Sequence, residues 1–235
     1  MLNRLKQWKS GVESLLYPQL CVGCDESLEV SKGAFICAAC SGQLPFTQHH
    51  QLAENELTDR LAGRLRLVYG GALFYYQPNS SVQRMIHALK YYQRPDIAHA
   101  LGALYGRRLS TVARLQDLEA IVPVPLHPKR QQERGYNQAE RFGAGLASIL
   151  GVSQRLDLLE RRNFSGSQTR KKSQERLENV SNTFEARPGH QLGNRHLLLV
   201  DDVLTTGATL DLCAEALLAA YPDLRLSVAT IAIAM

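Results

Sequence analysis

Apolar and polar residues follow two different rhythms along this chain. Val82, Met85, Ile86 and Leu89 recur at the i, i+3, i+4, i+7 spacing of one helix face. Ile97, Leu101, Leu104, Leu109 and Val112 predict a second helix from about Asp96 to Arg114. Ala139, Phe142, Leu146 and Ile149 predict a third, with Asn137 as its N-cap. A helical spacing also runs through Leu2, Leu5, Trp8, Val12, Leu15 and Leu16 until Pro18 ends it. Elsewhere the apolar runs are continuous: an aromatic-rich strand or hairpin over 69–76, a strand from Ala120 to Leu126 turning into a loop, and strands at Leu197–Val200 and Leu226–Ala234. Such unbroken runs suit strands covered on both faces.

The stretch from Leu197 to Thr209 organises the rest. A buried strand is expected to end at Val200, followed at once by Asp201 and Asp202. Val203 and Leu204 lead into Thr205, Thr206, Gly207, Ala208 and Thr209, and an amphipathic helix begins at Ala208. A strand, a polar turn and a helix start together form a phosphate site, because the turn's N–H groups and the helix dipole favour an anion. Two adjacent acids beside such a site repel both each other and phosphate. A sugar phosphate resolves the conflict: its hydroxyls donate to the carboxylates while the turn holds its 5-phosphate. The stretch resembles the phosphoribosyl-pyrophosphate (PRPP) loop of type I phosphoribosyltransferases.

The length, 235 residues with 45% apolar composition, holds one sizeable α/β domain and a small extra module. No apolar run approaches the roughly 18–20 residues of a membrane span, and residues 1–19 lack a signal-peptide pattern, so a cytoplasmic protein is expected. The net charge of +5 is uneven: residues 129–176 carry 11 Lys/Arg against 5 Asp/Glu. A segment this basic suits a polyanion, either pyrophosphate or nucleic acid. Its aromatics are few, namely Tyr136, Phe142 and Phe164, which argues against a strong stacking platform for single strands. The overlapping stretch 160–180 reads as a flap over an anionic substrate, with 163–175 as the closing part, a nucleic-acid arm or a solvated loop.

Cys21-x-x-Cys24 and Cys37-x-x-Cys40 form two knuckles separated by twelve residues, a spacing that brings four thiolates to one metal. Structural Zn²⁺ is expected. Disulfides are the alternative, but nothing indicates an oxidising compartment. Gly23 relaxes the first knuckle, and Lys32 and Gly33 mark a hairpin tip. The expected organisation is an N-terminal helix and zinc ribbon-like module over 1–50, a linker with a short helix over 51–67, and the main domain over 68–235.

Taken in order, the paired knuckles after Leu15-Leu-Tyr-Pro18, Leu89-Lys-Tyr91, Val122-Pro-Val-Pro-Leu-His-Pro128, Arg134-Gly-Tyr-Asn-Gln138 and the PRPP loop resemble the ComF family of competence proteins. The resemblance implies a type I phosphoribosyltransferase fold, a mostly parallel sheet flanked by helices, and a link to the use of external DNA. It implies PRPP or another ribose phosphate as ligand, with Mg²⁺. Asp201 and Asp202 would face the ribose, and residues 203–209 the 5-phosphate. Lys90, Arg130, Arg134, Arg162, Arg170 and Lys171 would neutralise pyrophosphate. A non-catalytic accessory role toward single-stranded DNA or a competence helicase is the competing reading.

Overall fold

A computed structural model of the chain describes residues 19–28, 34–162, 183–189, 192 and 195–235. In chain order the elements are α1 (Ala38–Gly42), α2 (Glu56–Leu61), β1 (Leu67–Tyr76), α3 (Ser81–Tyr91), α4 (Pro95–Leu109) and β2 (Ala120–Pro123). They continue with α5 (Pro128–Arg134), α6 (Gln138–Leu150), β3 (Ser153–Gln154), β4 (Leu159–Arg161), β5 (Phe184–Ala186), β6 (His196–Leu204), α7 (Ala208–Ala220) and β7 (Arg225–Ala234). The N-terminal helix expected over residues 1–17, the hairpin tip at Lys32 and Gly33, and residues 163–175 with Arg170 and Lys171 lie outside the described residues.

Five strands form one sheet in the order β1-β7-β6-β2-β3, and every neighbouring pair is parallel. The expected parallel sheet flanked by helices is therefore present. The unbroken apolar run of β6 has a direct cause. Leu198 and Val200 pack with α3, α4 and α6 on one face, while Leu197 and Leu199 pack with α2 and α7 on the other. β4 and β5 form a separate antiparallel pair.

Several elements differ from expectation in instructive ways. The aromatic stretch is one strand, not a hairpin, paired along its length with β7. α4 stops at Leu109, short of Arg114, where the hydroxyls of Ser110 and Thr111 donate to the carbonyls of Arg107 and Arg108. The basic loop after β2 contains a short helix, α5. Pro128 stands in its first turn, the His127 ring accepts the Lys129 N–H, and Gly135 ends it at φ 77°.

Residues 45–58, largely within the expected module and linker, line the outer edge of β1. The Thr47 N–H donates to the Leu73 carbonyl and the Tyr75 N–H to the Pro45 carbonyl, at 3.0 and 2.9 Å. His49 Nδ1 accepts the Ala72 N–H, and Asn55 Nδ2 donates to the Gly70 carbonyl. An open edge strand is thereby satisfied along its length. Asn55 also caps α2 through a capping box, and Leu57 and Leu61 of that helix are fully buried.

α4 and α6 cross backbone to backbone. A Cβ on Gly102 would stand 2.1 Å from the Phe142 carbonyl oxygen, and one on Gly145 2.1 Å from that of His99. Neither obstacle is a flexible side-chain end, so the helices themselves must separate. Gly102→Ala is expected to cost at least about 2 kcal/mol, read as a lowered urea midpoint. An unchanged midpoint would disprove the close crossing.

Candidate ligand cleft and cysteine cluster

β2 ends at Pro123, opposite Val200, while β6 runs on to Leu204 with β7 as its remaining partner. The sequence places the strand's end at Val200, before the acids; instead Asp201 pairs with Thr230 and lies within β6. Because β2 has ended, a cleft opens beside them at the carboxyl ends of the strands, where α/β sheets place ligands. Its volume is about 370 Å³.

The cleft has a charged and an apolar character. Lys90, Arg130, Arg134 and Arg161 surround Asp201 and Asp202, while Tyr76, Ile86, Val124, Leu126 and Ala234 supply apolar wall. Lys90 Nζ lies 3.1 Å from Asp202 Oδ2, both side chains partly buried. The Asp202 N–H donates to Asp201 Oδ1 at 2.8 Å. From here the chain enters the 205–207 turn. Gly207 sits at φ 88° as N-cap of α7, a conformation glycine adopts without strain. Residues 203–210 bound a small concavity continuous in sequence with the acids, and Thr205 and Thr209 also line the main cleft.

The Arg134-Gly-Tyr-Asn-Gln138 stretch holds the cleft's walls together. Tyr136 Oη and Gln138 Nε2 both donate to the Leu89 carbonyl, at 2.5 and 3.1 Å, which fixes the end of α3 that carries Lys90. Burial pushes the Tyr136 phenol up to about 12, so it remains a donor at neutral pH. Arg134 Nη1 donates to Gln138 Oε1 at 3.1 Å. Asn137 caps α6 by accepting the Ala139 N–H, as expected, and its own Nδ2 donates to the Val124 carbonyl.

A family model described as phosphoribosyl transferase domain matches residues 137–234. The chain is 29% identical over 196 residues to Competence protein F of Haemophilus influenzae, covering 82% of this chain and 81% of that one. It is 27% identical over 201 residues to Competence protein ComFC of Bacillus subtilis, covering 85% and 78% of the two chains. It is 33% identical over 146 residues to the DNA utilization protein YhgH of Salmonella typhimurium, covering 61% of this chain and 63% of that one. By these comparisons the chain is similar to the ComF-type competence proteins, and its residues 137–234 match a phosphoribosyltransferase domain.

The cleft gathers most of the residues singled out from the sequence. Lys90, Arg130, Arg134, Asp201, Asp202, Val203, Thr205 and Thr209 line it, and Leu204, Thr206, Gly207 and Ala208 bound the adjoining concavity. Arg162 does not join them. It pairs with Glu185 on the exposed side of the β4–β5 pair, and Arg161 enters the cleft instead. Successive strand residues point to opposite faces, so one of two adjacent arginines had to face away. Alternation in sequence marks that only one of the two arginines faces the cleft, and the structure decides for Arg161, whose guanidinium lies 5.2 Å from the ring of its partner Phe184. Gln138 stood in the sequence only as the last residue of the Arg134–Gln138 motif, and its role depends on a carbonyl in a distant helix.

Apart from the cleft, four thiols converge. The Sγ atoms of Cys21, Cys24, Cys37 and Cys40 lie within 4.8 Å of one another, an arrangement that can hold a metal ion. No disulfide joins them. Backbone N–H groups of Gly23 and Cys37 donate to Cys21 Sγ at 3.3 and 3.2 Å, and that of Cys40 to Cys37 Sγ at 3.4 Å. Against burial, which raises it, the donors from Cys37 and Gly23 hold the Cys21 thiol down at about 7. Gly23 is not in the left-handed region, so it serves space more than turn geometry: a Cβ there would meet Cys40 Sγ at 2.8 Å. No helix among the described residues is long and apolar enough to cross a membrane.

Asp201 is the most strongly perturbed acid of the cleft. Burial, and then the charge of Asp202, push its carboxyl up to about 7, against the pull of the Asp202 N–H, Lys90 and Arg161. An unfolded aspartate titrates near 3.9. Between about pH 4 and pH 7 the folded chain thus holds a proton the unfolded chain has released, and this group's contribution makes stability fall as pH rises. Asp201→Asn removes that titration while keeping the acceptor for the Asp202 N–H. The variant's urea stability relative to wild type is expected to rise by at least about 1 kcal/mol from pH 4.5 to pH 8. A constant difference across that range would contradict the assignment.

Proposed function

We propose that the cleft binds PRPP or a related ribose phosphate, and that the protein transfers a phosphoribosyl group with release of pyrophosphate. The observation that carries this reading is the course of the chain along one side of the cleft: a carboxylate pair at the open end of β6 leads without interruption into a hydroxyl-rich turn at a helix N-terminus, opposite four cations. In this reading Asp201 and Asp202 accept hydrogen bonds from the ribose hydroxyls, and residues 203–209 hold the 5-phosphate. Lys90, Arg130, Arg134 and Arg161 face the pyrophosphate. As the bond from C1 to the pyrophosphate oxygen breaks, the electron pair leaves with pyrophosphate and positive charge develops on the ribose. The two carboxylates then stabilise that charge, and the acceptor supplies the new bond to C1. The paired acids suit Mg²⁺ as oxygen donors, and the ion would supply counter-charge to the pyrophosphate.

The Lys90–Asp202 ion pair gives the reading a sequence of events. Asp202 is neutralised by Lys90 in the free protein. Arrival of a ribose phosphate lets the carboxylate take sugar hydroxyls while the ammonium turns to phosphate oxygens. The names of the relatives support a link to competence and the use of external DNA.

One observation favours a second reading, DNA handling without transfer. Tyr91 and Tyr92, 64% and 67% exposed, flank His87 at ring distances of 4.5 and 5.3 Å at the end of α3. These are aromatic faces of the kind single strands stack on, outside the basic segment. Asp202→Asn separates the two readings. It should weaken PRPP binding by roughly ten- to a hundredfold, because charged hydrogen bonds are worth about 1.5–3 kcal/mol. Pyrophosphate should not share the full loss. Calorimetry with PRPP, pyrophosphate and short single-stranded DNA is the measurement. Unchanged PRPP affinity, or one common change for all three ligands, would remove the ribose assignment.

For the cysteine cluster we propose structural Zn²⁺. A zinc tetrahedron with bonds of about 2.3 Å has sulfur–sulfur edges of about 3.8 Å. Cys24 Sγ and Cys37 Sγ stand 3.8 Å apart. Four protein thiolates leave no open ligand position, so the ion would contribute to folding and not to the reaction. Cys24→Ser or Cys37→Ser should release one zinc per chain by elemental analysis and expose the module to proteolysis, leaving the sheet folded. Purified protein with two stable disulfides and no metal would end this idea.

A further inference from the structure

The turn proposed to hold the 5-phosphate is gripped from behind by a part of the chain that no sequence motif marks. Arg60, near the end of α2, donates from Nη1 to the Thr205 carbonyl at 2.8 Å and to the Ala234 carbonyl at 2.7 Å. Arg64, just beyond that helix, donates from Nη2 to the Thr206 carbonyl at 3.2 Å and to the Arg60 carbonyl, while its Nη1 pairs with Asp211 in the first turn of α7. α2 itself abuts the turn: a Cβ on Gly207 would stand 2.6 Å from Leu61 Cδ2 and 3.3 Å from Arg64 Nη2.

A trans peptide is planar, and its N–H points opposite to its C=O. Fixing the Thr205 and Thr206 carbonyls on the arginine side therefore turns the N–H groups of Thr206 and Gly207 to the other side. The same bonds tie three separate pieces together: the turn, the last residues of β7 through Ala234, and the start of α7 through Asp211. A turn with a glycine at φ 88° has an alternative conformation available at little steric cost, and the two guanidiniums select one.

We propose that Arg60 and Arg64 are positioning residues for ribose 5-phosphate recognition, which hold the 205–207 peptides with their N–H groups presented to the phosphate. They touch the turn and not the ligand. The inference rests on the ribose-phosphate reading of the cleft, yet it makes a separate claim: the selectivity of this chain for a phosphate at that end is set by α2 and the residue that follows it closely.

The test uses the full chain and its Arg60→Ala, Arg60→Lys and Arg64→Met variants. Binding of ribose 5-phosphate, PRPP and pyrophosphate is measured by calorimetry, with amide exchange of the 205–208 segment followed in parallel. Ribose 5-phosphate should bind about tenfold more weakly to Arg60→Ala and Arg64→Met, and PRPP should weaken in the same direction. Pyrophosphate should change less than twofold, and ligand-dependent protection at 205–208 should fall. Arg60→Lys, which keeps the charge and one donor direction, should recover part of the affinity. A merely structural role would lower all three affinities together or none of them, and either result would overturn the proposal. If Arg60→Ala does not fold, Arg60→Lys and Arg64→Met decide the outcome by the same comparison. Wild type that binds pyrophosphate but no ribose phosphate would instead refute the underlying reading of the cleft, and the inference with it.

Discussion

Two carboxylates side by side at the end of a buried strand repel each other, and the cleft is organised around keeping them there. Asp201 is relieved in one way: burial and its neighbour's charge push its carboxyl up to about 7, so it holds a proton below that pH. Asp202 is relieved in another, by the Lys90 ammonium 3.1 Å away. Splitting one unfavourable pair into a protonated acid and a salt-bridged acid is a general route by which proteins keep like charges close.

The elements that carry this arrangement are coupled through backbone carbonyls more than through side chains. Lys90 is useful only if the end of α3 is fixed, and Tyr136 and Gln138 fix it by sharing the Leu89 carbonyl. Gln138 in turn accepts from Arg134, so a cation of one wall and a cation of the other are connected by two hydrogen bonds and one peptide. On the opposite side, Arg60 and Arg64 reach the carbonyls of the turn. Carbonyl oxygens at strand and helix ends are the groups left over when regular structure stops. Here they serve as the attachment points of the site.

The cysteine cluster and the sheet are joined by a similar economy. Residues 45–58 follow the cluster in the chain and complete the hydrogen bonding of the β1 edge, through backbone groups at 45 and 47 and side chains at 47, 49 and 55. Arg108 lies over the Phe46 ring at 3.8 Å, tying the same segment to α4. An edge strand that would otherwise invite another chain is closed by the segment that leads away from the cysteines.

What the sequence by itself determined is what depends on local order. The period of apolar residues marked α3 and α6, since one helix face buries whatever lies at that spacing. The unbroken run at Leu197–Val200 marked a strand covered on both faces. The two Cys-x-x-Cys pairs marked a converging set of thiols, and the Asp-Asp to Thr-Thr-Gly-Ala-Thr passage marked the cleft, because each is contiguous and its chemistry needs only neighbours in the chain. What only the tertiary structure decided depends on distant partners. β6 continues through its acids because β7 still pairs with it after β2 has ended at a proline, a fact about two other strands. Arg161 enters the cleft and Arg162 leaves it because of the face β4 turns to the cleft. Arg60 and Arg64 matter through carbonyls that stand 145 and 142 residues away in sequence, and a polar side chain aimed at a remote carbonyl looks, in sequence, like any other surface residue.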